Sequence, residues 1–384
     1  MNNQYTRYTA ILFFILVEFM YGFELTYIKI SDSMHNFLLI LSIFLFLLST
    51  ITGKWNLREL YKVFVMLIIA MGVYISSGET LFLMMVLAAI LINNISYEIA
   101  MKTMFGVRII VLFMVISSSL VGIIPINKMQ ITKGNFGSYI GYGLGYQHPN
   151  NLAQAVFVLC LLYIAIQNLK LTKLNIFSIL VIDVLTYLIT GNKTTFFILI
   201  CICLCLFFRN NSWIKKVIYN CSLPYLLIVI TFWILIPMMY AKSGGILKNI
   251  AYSLNGLLNG RFSNSSMMFD SFSISWFGKI VNLDYLKVLY GYNVVDNGYV
   301  FMLFDYGLIG VFSILFWYFC AVKQFIRKEK YTYLLILVGF LTLGLMENVV
   351  RAMFMNFTMI FWYEFIKSDK YLNYKKDGIY HQRY

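Results

Sequence analysis

In "LYGYNVVDNGYVFMLFDYGLIG", residues 289–310, a glycine-marked polar turn gives way to an apolar run, and Asp296 and Asn297 stand at the junction. A carboxylate there suits a general base, or an acceptor for a hydroxyl proton. It equally suits a helix cap, since an Asp or Asn side-chain oxygen satisfies a free N–H at a helix start. Arg261 in "LLNGRFSNSS" follows a flexible Asn-Gly. Its guanidinium fork matches two phosphate oxygens, with an ordinary surface ion pair as the alternative. Lys193, at the tip of the turn in "LITGNKTTFFIL", could meet a lipid phosphate or simply snorkel to an interface. "GYGLGYQHPNNLAQ" places His148, Pro149, Asn150 and Asn151 at the start of an apolar run. Pro and Asn suit a helix start, whose free N–H groups favour an anion. His148 by itself fits a hydrogen-bonded loop histidine as well. In "MENVVRAM", Glu347 and Arg351 are four apart, a spacing that would pair them on a helix end, and Arg351 is also a candidate for substrate binding.

Other chemistries are disfavoured. The glycines of "GYGLGY" do not make GxGxxG and follow no strand. Cys160, Cys201, Cys203, Cys205, Cys221 and Cys320 lie in or beside apolar runs without a CxxC pair, so neither a disulfide framework nor a metal cluster is expected.

The elements that must carry these residues are membrane helices. The chain has 384 residues, 61% hydrophobic and only 12% charged, where a soluble chain carries about a quarter charged residues. Separate apolar runs predict an all-α, polytopic integral membrane protein with about twelve spans, at 8–24, 36–52, 61–77, 80–95, 104–124, 150–167, 174–190, 195–208, 217–239, 297–320, 332–346 and 352–366. The short run at 80–95 implies a tilted helix or a locally thinned bilayer. The first run lacks a small-residue cleavage site and reads as a retained helix. The net charge of +14 sits in short segments between runs, not in a stripe with exposed aromatics, so nucleic acid is not an expected partner.

Most of the thirty basic residues fall on one side, including Lys54, Arg58, Lys62, Arg209, Lys215, Lys216, Lys323, Arg327, Lys328, Lys330 and the tail around Lys375 and Lys376. Both termini are therefore expected in the cytoplasm. Two outward loops are long: residues 125–149, and residues 240–296 before the tenth span. In the second, "GILKNIAYSLNGLL" and "LDYLKVLYGY" have helical spacing and suit either interfacial helices or a packed cap, so residues 240–296 read as a lid within one membrane domain, 1–384. The outward acids Glu24, Asp32, Glu79, Asp270, Asp284, Asp296 and Glu347 form no DxD-like pair, and no metal or other cofactor is expected. Glu18, Arg108, Asp183, Asp305 and Glu364 fall inside spans; Arg108 and Glu364 are near enough to the cytoplasmic ends to snorkel, and the rest leave an ion or proton route open.

The order of features over residues 134–310 resembles the O-antigen polymerase and ligase superfamily, the Wzy-type enzymes of bacterial surface polysaccharide assembly. "GYQHPNNLA" is similar to the family's glycine–His-Pro-Asn lead into a central helix. "TGNKTTFFIL" resembles a turn that usually carries Ser-Arg, with Lys193 in place of arginine. "NGRFS" resembles the Gly-Arg of the large outer loop, and residues 289–310 the closing His/Asp-Asn and Gly-Leu-x-Gly pattern, with Gly307 eleven residues after Asp296. Aspartate rather than histidine at 296 looks more like a polymerase than a ligase. The resemblance implies a glycosyltransferase in the bacterial cytoplasmic membrane, acting on undecaprenyl-pyrophosphate-linked oligosaccharide at the outer face, with a flippase and a chain-length regulator as partners. Arg261 and Lys193 would neutralise the diphosphate, assisted by the helix start at Asn150 and Asn151. Asp296 would orient or deprotonate the attacking hydroxyl, and Asn297 and His148 would position sugar. A glycan ligase, and a lipid-linked oligosaccharide flippase using Glu18, Asp183 and Asp305, are the rival readings.

Overall fold

Helix starts in this chain are written in short polar residues. Ser31 accepts from the Met34 N–H, and Asn56 with Glu59, like Thr172 with Asn175, closes a reciprocal capping box. Gly78 and Gly191 end helices in the left-handed region that glycine tolerates. The structure, a computed structural model, describes residues 2–132, 138–242, 245–257, 260–292 and 294–367. The basic tail around Lys375 and Lys376 lies outside the described residues.

Of the described residues 77% are helical. Its first half comprises α1 (Asn2–Gly22), α2 (Asp32–Thr52), α3 (Leu57–Ser77), α4 (Thr80–Leu91), α5 (Tyr97–Leu120), α6 (Pro149–Gln167), α7 (Lys173–Thr190) and α8 (Lys193–Phe207). The second comprises α9 (Ser212–Lys242), α10 (Gly245–Leu257), α11 (Arg261–Ser271), α12 (Leu283–Tyr290), α13 (Gly298–Asp305), α14 (Gly307–Arg327), α15 (Tyr331–Met346) and α16 (Tyr363–Lys367). Among the described residues seven helices are long and apolar enough to cross a membrane: α2, α3, α5, α6, α7, α9 and α14. Large apolar side chains such as Ile75, Phe113 and Phe312 stand exposed on them, as lipid-facing residues do. Three further apolar helices, α4, α8 and α15, are shorter.

The expectation of twelve regular spans needs three revisions. Helix α4, at twelve residues, is about 18 Å long, too short to cross alone. Leu81 to Leu91 are all buried, so this all-apolar helix sits in the bundle core. The expected span 352–366 is mostly not α-helical. Residues 347–356 run as turns, a 3₁₀ segment covers Phe357–Trp362, and only α16 follows. Asn356 holds this path by donating to the Val350 carbonyl and accepting from Tyr318 and Thr358. Buried among helices, such irregular backbone finds its partners in protein rather than lipid. The expected span 297–320 is broken between α13 and α14. There the outer-loop segment 275–279 inserts: Leu308 and Ile309 donate to the Ser275 and Trp276 carbonyls, and Lys279 donates to Phe304. Gly307 and Gly278 both have positive φ, and a Cβ on Gly278 would come within 1.9 Å of the Asp305 carbonyl oxygen.

The two long loops expected to face outward are also structured. Residues 125–149 contain an antiparallel hairpin, β1 (Lys128–Thr132) and β2 (Ser138–Tyr142), within an otherwise helical chain. Tyr139 of β2 donates to the Gly191 carbonyl at the α7–α8 turn, 2.6 Å away. In the larger loop, the helical spacing of both expected segments is realised as α10 and α12. Helix α10 packs Ala251 and Leu254 against Ile236 and Phe262, which is cap packing, whereas Val288 and Leu289 of α12 stay exposed, as an interfacial helix would leave them.

Two in-span ionisable residues are also corrected. Arg108 does not snorkel: it is 2% exposed and grips Glu18 through two bonds of 2.7 and 2.9 Å. Glu364 is paired with Lys328 at 2.6 Å and accepts from Tyr97.

Candidate functional site

Asn297, not Asp296, caps α13. Its side-chain oxygen accepts from the Tyr299 and Val300 N–H groups, and its amide donates to the Trp233 carbonyl at 2.8 Å. Asn297 is buried, with its oxygen and one amide N–H engaged in holding the start of α13. Asp296, relieved of capping, is half-buried and forms no hydrogen bond among the described residues. Burial raises its carboxyl above the ordinary range, against the opposing pull of Arg261 and then of His148. Asp296, Arg261 and His148 thus lie within electrostatic reach of one another.

Arg261 opens α11 beneath Gly260, whose φ of 80° turns the chain into the helix. Its guanidinium donates to the Met346 carbonyl and sits 3.7 Å from Glu347. With a quarter of the side chain exposed, it keeps N–H groups for an incoming anion. Glu347 ends α15 and is buried, accepting from Gln154 of α6 at 2.8 Å and from Asn192, in the turn before α8, at 3.4 Å. Burial pushes its carboxyl up to about 7; Arg261 pulls the other way, Asp296 adds to the rise, and the two amides offset part of it. The start of α6, the α7–α8 turn, α11 and the end of α15 therefore meet around Glu347, with Asp296 before α13 in electrostatic reach.

His148 caps α6: its Nδ1 accepts from the Asn150 N–H at 3.0 Å. Burial lowers its basicity and the Asp296 charge opposes that. A ring nitrogen accepting from the first turn takes up part of the helix start expected to serve an anion. Asn150 and Asn151 lie in that turn, half-buried, with backbone bonds to His148 and no side-chain bond into the cluster among those the structure resolves. Lys193 is exposed at the first position of α8, next to Asn192.

Arg351 does not pair with Glu347 on a helix end as its spacing suggested. The chain leaves helical geometry at Met346, so the two side chains diverge. Arg351 bonds Asp305 at 2.5 Å and Glu79 at 2.8 Å and stacks on the Phe301 ring. It lines a cavity of about 410 Å³ with Glu24, Lys29, His35, Glu79 and Gln147. Asp296 precedes α13 and Asp305 ends it, so this helix, about 12 Å long, links the Arg261 cluster to the Arg351 cavity. Gln147 and His148 link them a second time.

The sequence missed Glu347, Gln154 and Asn192 as members of the Arg261 cluster, and Glu24 and Glu79 beside Arg351. Glu347 was visible as one of few outward acids, but its partner was not. Among the described residues no group of three His, Cys, Asp or Glu side chains could hold a metal ion.

The chain matches no protein-family model, no curated protein and no solved structure.

Proposed function

We propose that this chain is a polysaccharide polymerase, a glycosyltransferase joining undecaprenyl-pyrophosphate-linked oligosaccharide units on the outer face of the bacterial cytoplasmic membrane. One observation carries the reading: Arg261 and Asp296, the residues that the order of motifs singles out, meet with His148 and Glu347 at one end of the bundle. Arg261 offers its remaining N–H groups to the diphosphate of the donor, in a half-sheltered position where such contacts count most. Glu347 and the Met346 carbonyl fix the direction of that guanidinium, so Glu347 is a positioning residue.

Asp296 accepts the proton of the attacking sugar hydroxyl. As the new C1–O bond forms, the bond from C1 to the diphosphate breaks, and the leaving lipid diphosphate takes the electron pair toward Arg261. The adjoining Arg351 cavity suits the sugars that must lie beside the reacting pair, since carboxylates and a guanidinium match vicinal hydroxyls. Of the residues the flippase alternative would use, Glu18 and Asp305 are each paired with an arginine, while a buried Asp183 carboxylate oxygen has no hydrogen-bond partner among the described residues.

The test is chain extension of purified lipid-linked repeat units by the purified protein. Asp296→Asn and Arg261→Ala should each slow extension by roughly 10²- to 10³-fold with folding intact. Extension at the normal rate by either variant, or translocation of lipid-linked units without extension by the unaltered chain, would overturn the reading.

A further inference from the structure

At the bundle end opposite the Arg261 cluster lies a second and larger cavity, about 690 Å³, between the start of α1, the end of α2 and the turn after α4. We propose that it binds a phosphate-bearing anion. Arg7 and Lys54 both line it, and no acid does. Both cations are exposed, and neither side chain has an ion pair or hydrogen bond among the described residues. Elsewhere Arg108, Arg261 and Arg351 each meet a carboxylate, and the half-buried Arg209 donates to the Asn168 carbonyl. Arg7 and Lys54 differ from these in sharing one polar cavity without a partner for either side chain among the described residues.

The cavity is built rather than incidental. The Asn93 amide donates to the Lys54 carbonyl at 3.0 Å and fixes that backbone, while its oxygen accepts from Tyr363. Asn94 is tied to Ser49 by two bonds of 2.9 Å. Thr6 and Thr52, one from each wall, hydrogen-bond at 2.8 Å. Gly53 has an ordinary φ of −73°, so conformation does not demand glycine there; space does, because a Cβ would lie 2.7 Å from the Asn94 oxygen and 2.9 Å from the Trp55 nitrogen. A phosphate would find two cations on one polar cavity whose walls these bonds hold in place. Beside the opening, Tyr8 and Ile51 are 57% and 79% exposed, and an acyl chain could lie along them. A phospholipid headgroup and free phosphate share the recognising chemistry, and the measurement separates them.

The full chain, purified in a neutral detergent, is titrated at constant ionic strength with dihexanoyl-phosphatidylglycerol or with inorganic phosphate while its unfolding temperature is followed. A saturable rise is expected. R7Q/K54Q should weaken the apparent affinity roughly tenfold or more, and the charge-keeping R7K/K54R should retain it. A response to phosphatidylglycerol alone supports a lipid occupant, and an equal response to phosphate supports the free ion. No saturable rise with either probe, or an unchanged response in R7Q/K54Q, overturns the proposal. Should R7Q/K54Q fail to fold, K54Q alone, altering one exposed turn residue, should show a smaller weakening, and its absence would overturn the proposal equally.

Discussion

Two adjacent residues that could each cap a helix divide the work. Asn297 takes the cap; Asp296 keeps a carboxylate without a hydrogen bond or ion pair among the described residues, within electrostatic reach of Arg261 and His148. Glu347 differs from Asp296 in being sealed. Its folded-state carboxyl, pushed up to about 7 from an ordinary 4.5, stays protonated over a range in which the unfolded chain has lost that proton. The folded state thus binds more protons between about pH 4.5 and 7, so this group's contribution to stability is full below that window and lost as pH rises through it. Unfolding temperature should fall from pH 5 to pH 8, and Glu347→Gln, which cannot ionise, should flatten that slope. An identical slope in the variant would mean that Glu347 does not titrate in this window.

At the scale of elements, the break between α13 and α14 aims both ends of α13. Backbone N–H groups freed at the break find the carbonyls of residues 275–276, and the Asp305 carboxylate beside the break is held by Arg351. Removing only the arginine would strand a carboxylate that is 1% exposed. Arg351→Ala should therefore destabilise by about 3–5 kcal/mol, while Arg351→Met with Asp305→Leu should recover much of the loss. Thermal unfolding of the two variants checks this; equal losses would mean that the buried charge is not what Arg351 serves. The same geometry explains why the 297–320 and 352–366 runs misled. Their composition is apolar enough for a helix, but segments buried on all sides can take backbone bonds from neighbours, and hydropathy does not distinguish that from a lipid-facing span.

For the whole molecule, the basic-residue bias predicts that the Arg261 cluster faces outward and Lys54 and Lys330 inward. In a background with all six cysteines replaced, Lys193→Cys should react with a membrane-impermeant maleimide on intact cells, and Lys330→Cys only after permeabilisation. The reverse pattern would turn the bundle over and bring the Arg261 cluster to the cytoplasmic side. The Arg7 cavity near the start of α1 and the Arg351 cavity, which Met20 and Tyr21 line near its end, are separated by roughly 20 Å of helix, a large part of a hydrocarbon core.

Local chemistry by itself determined the membrane class, most helices and their caps. Apolar runs, Ser, Thr or Asn starts and glycine stops act within a turn or two of the residues that carry them, as at Asn56 and Gly78. The expectation that Arg261 and Asp296 act together came only from the order of motifs; the fold puts them within electrostatic reach of each other. Which acid clasps Arg261 was decided by tertiary structure: Glu347 and Arg351 look paired at four residues' spacing, yet the chain leaves the helix between them and each meets a charge from a distant element. The physical reason is desolvation. A buried charge takes whichever opposite charge the packed helices bring within reach, and that choice is made by three-dimensional contact rather than by sequence spacing.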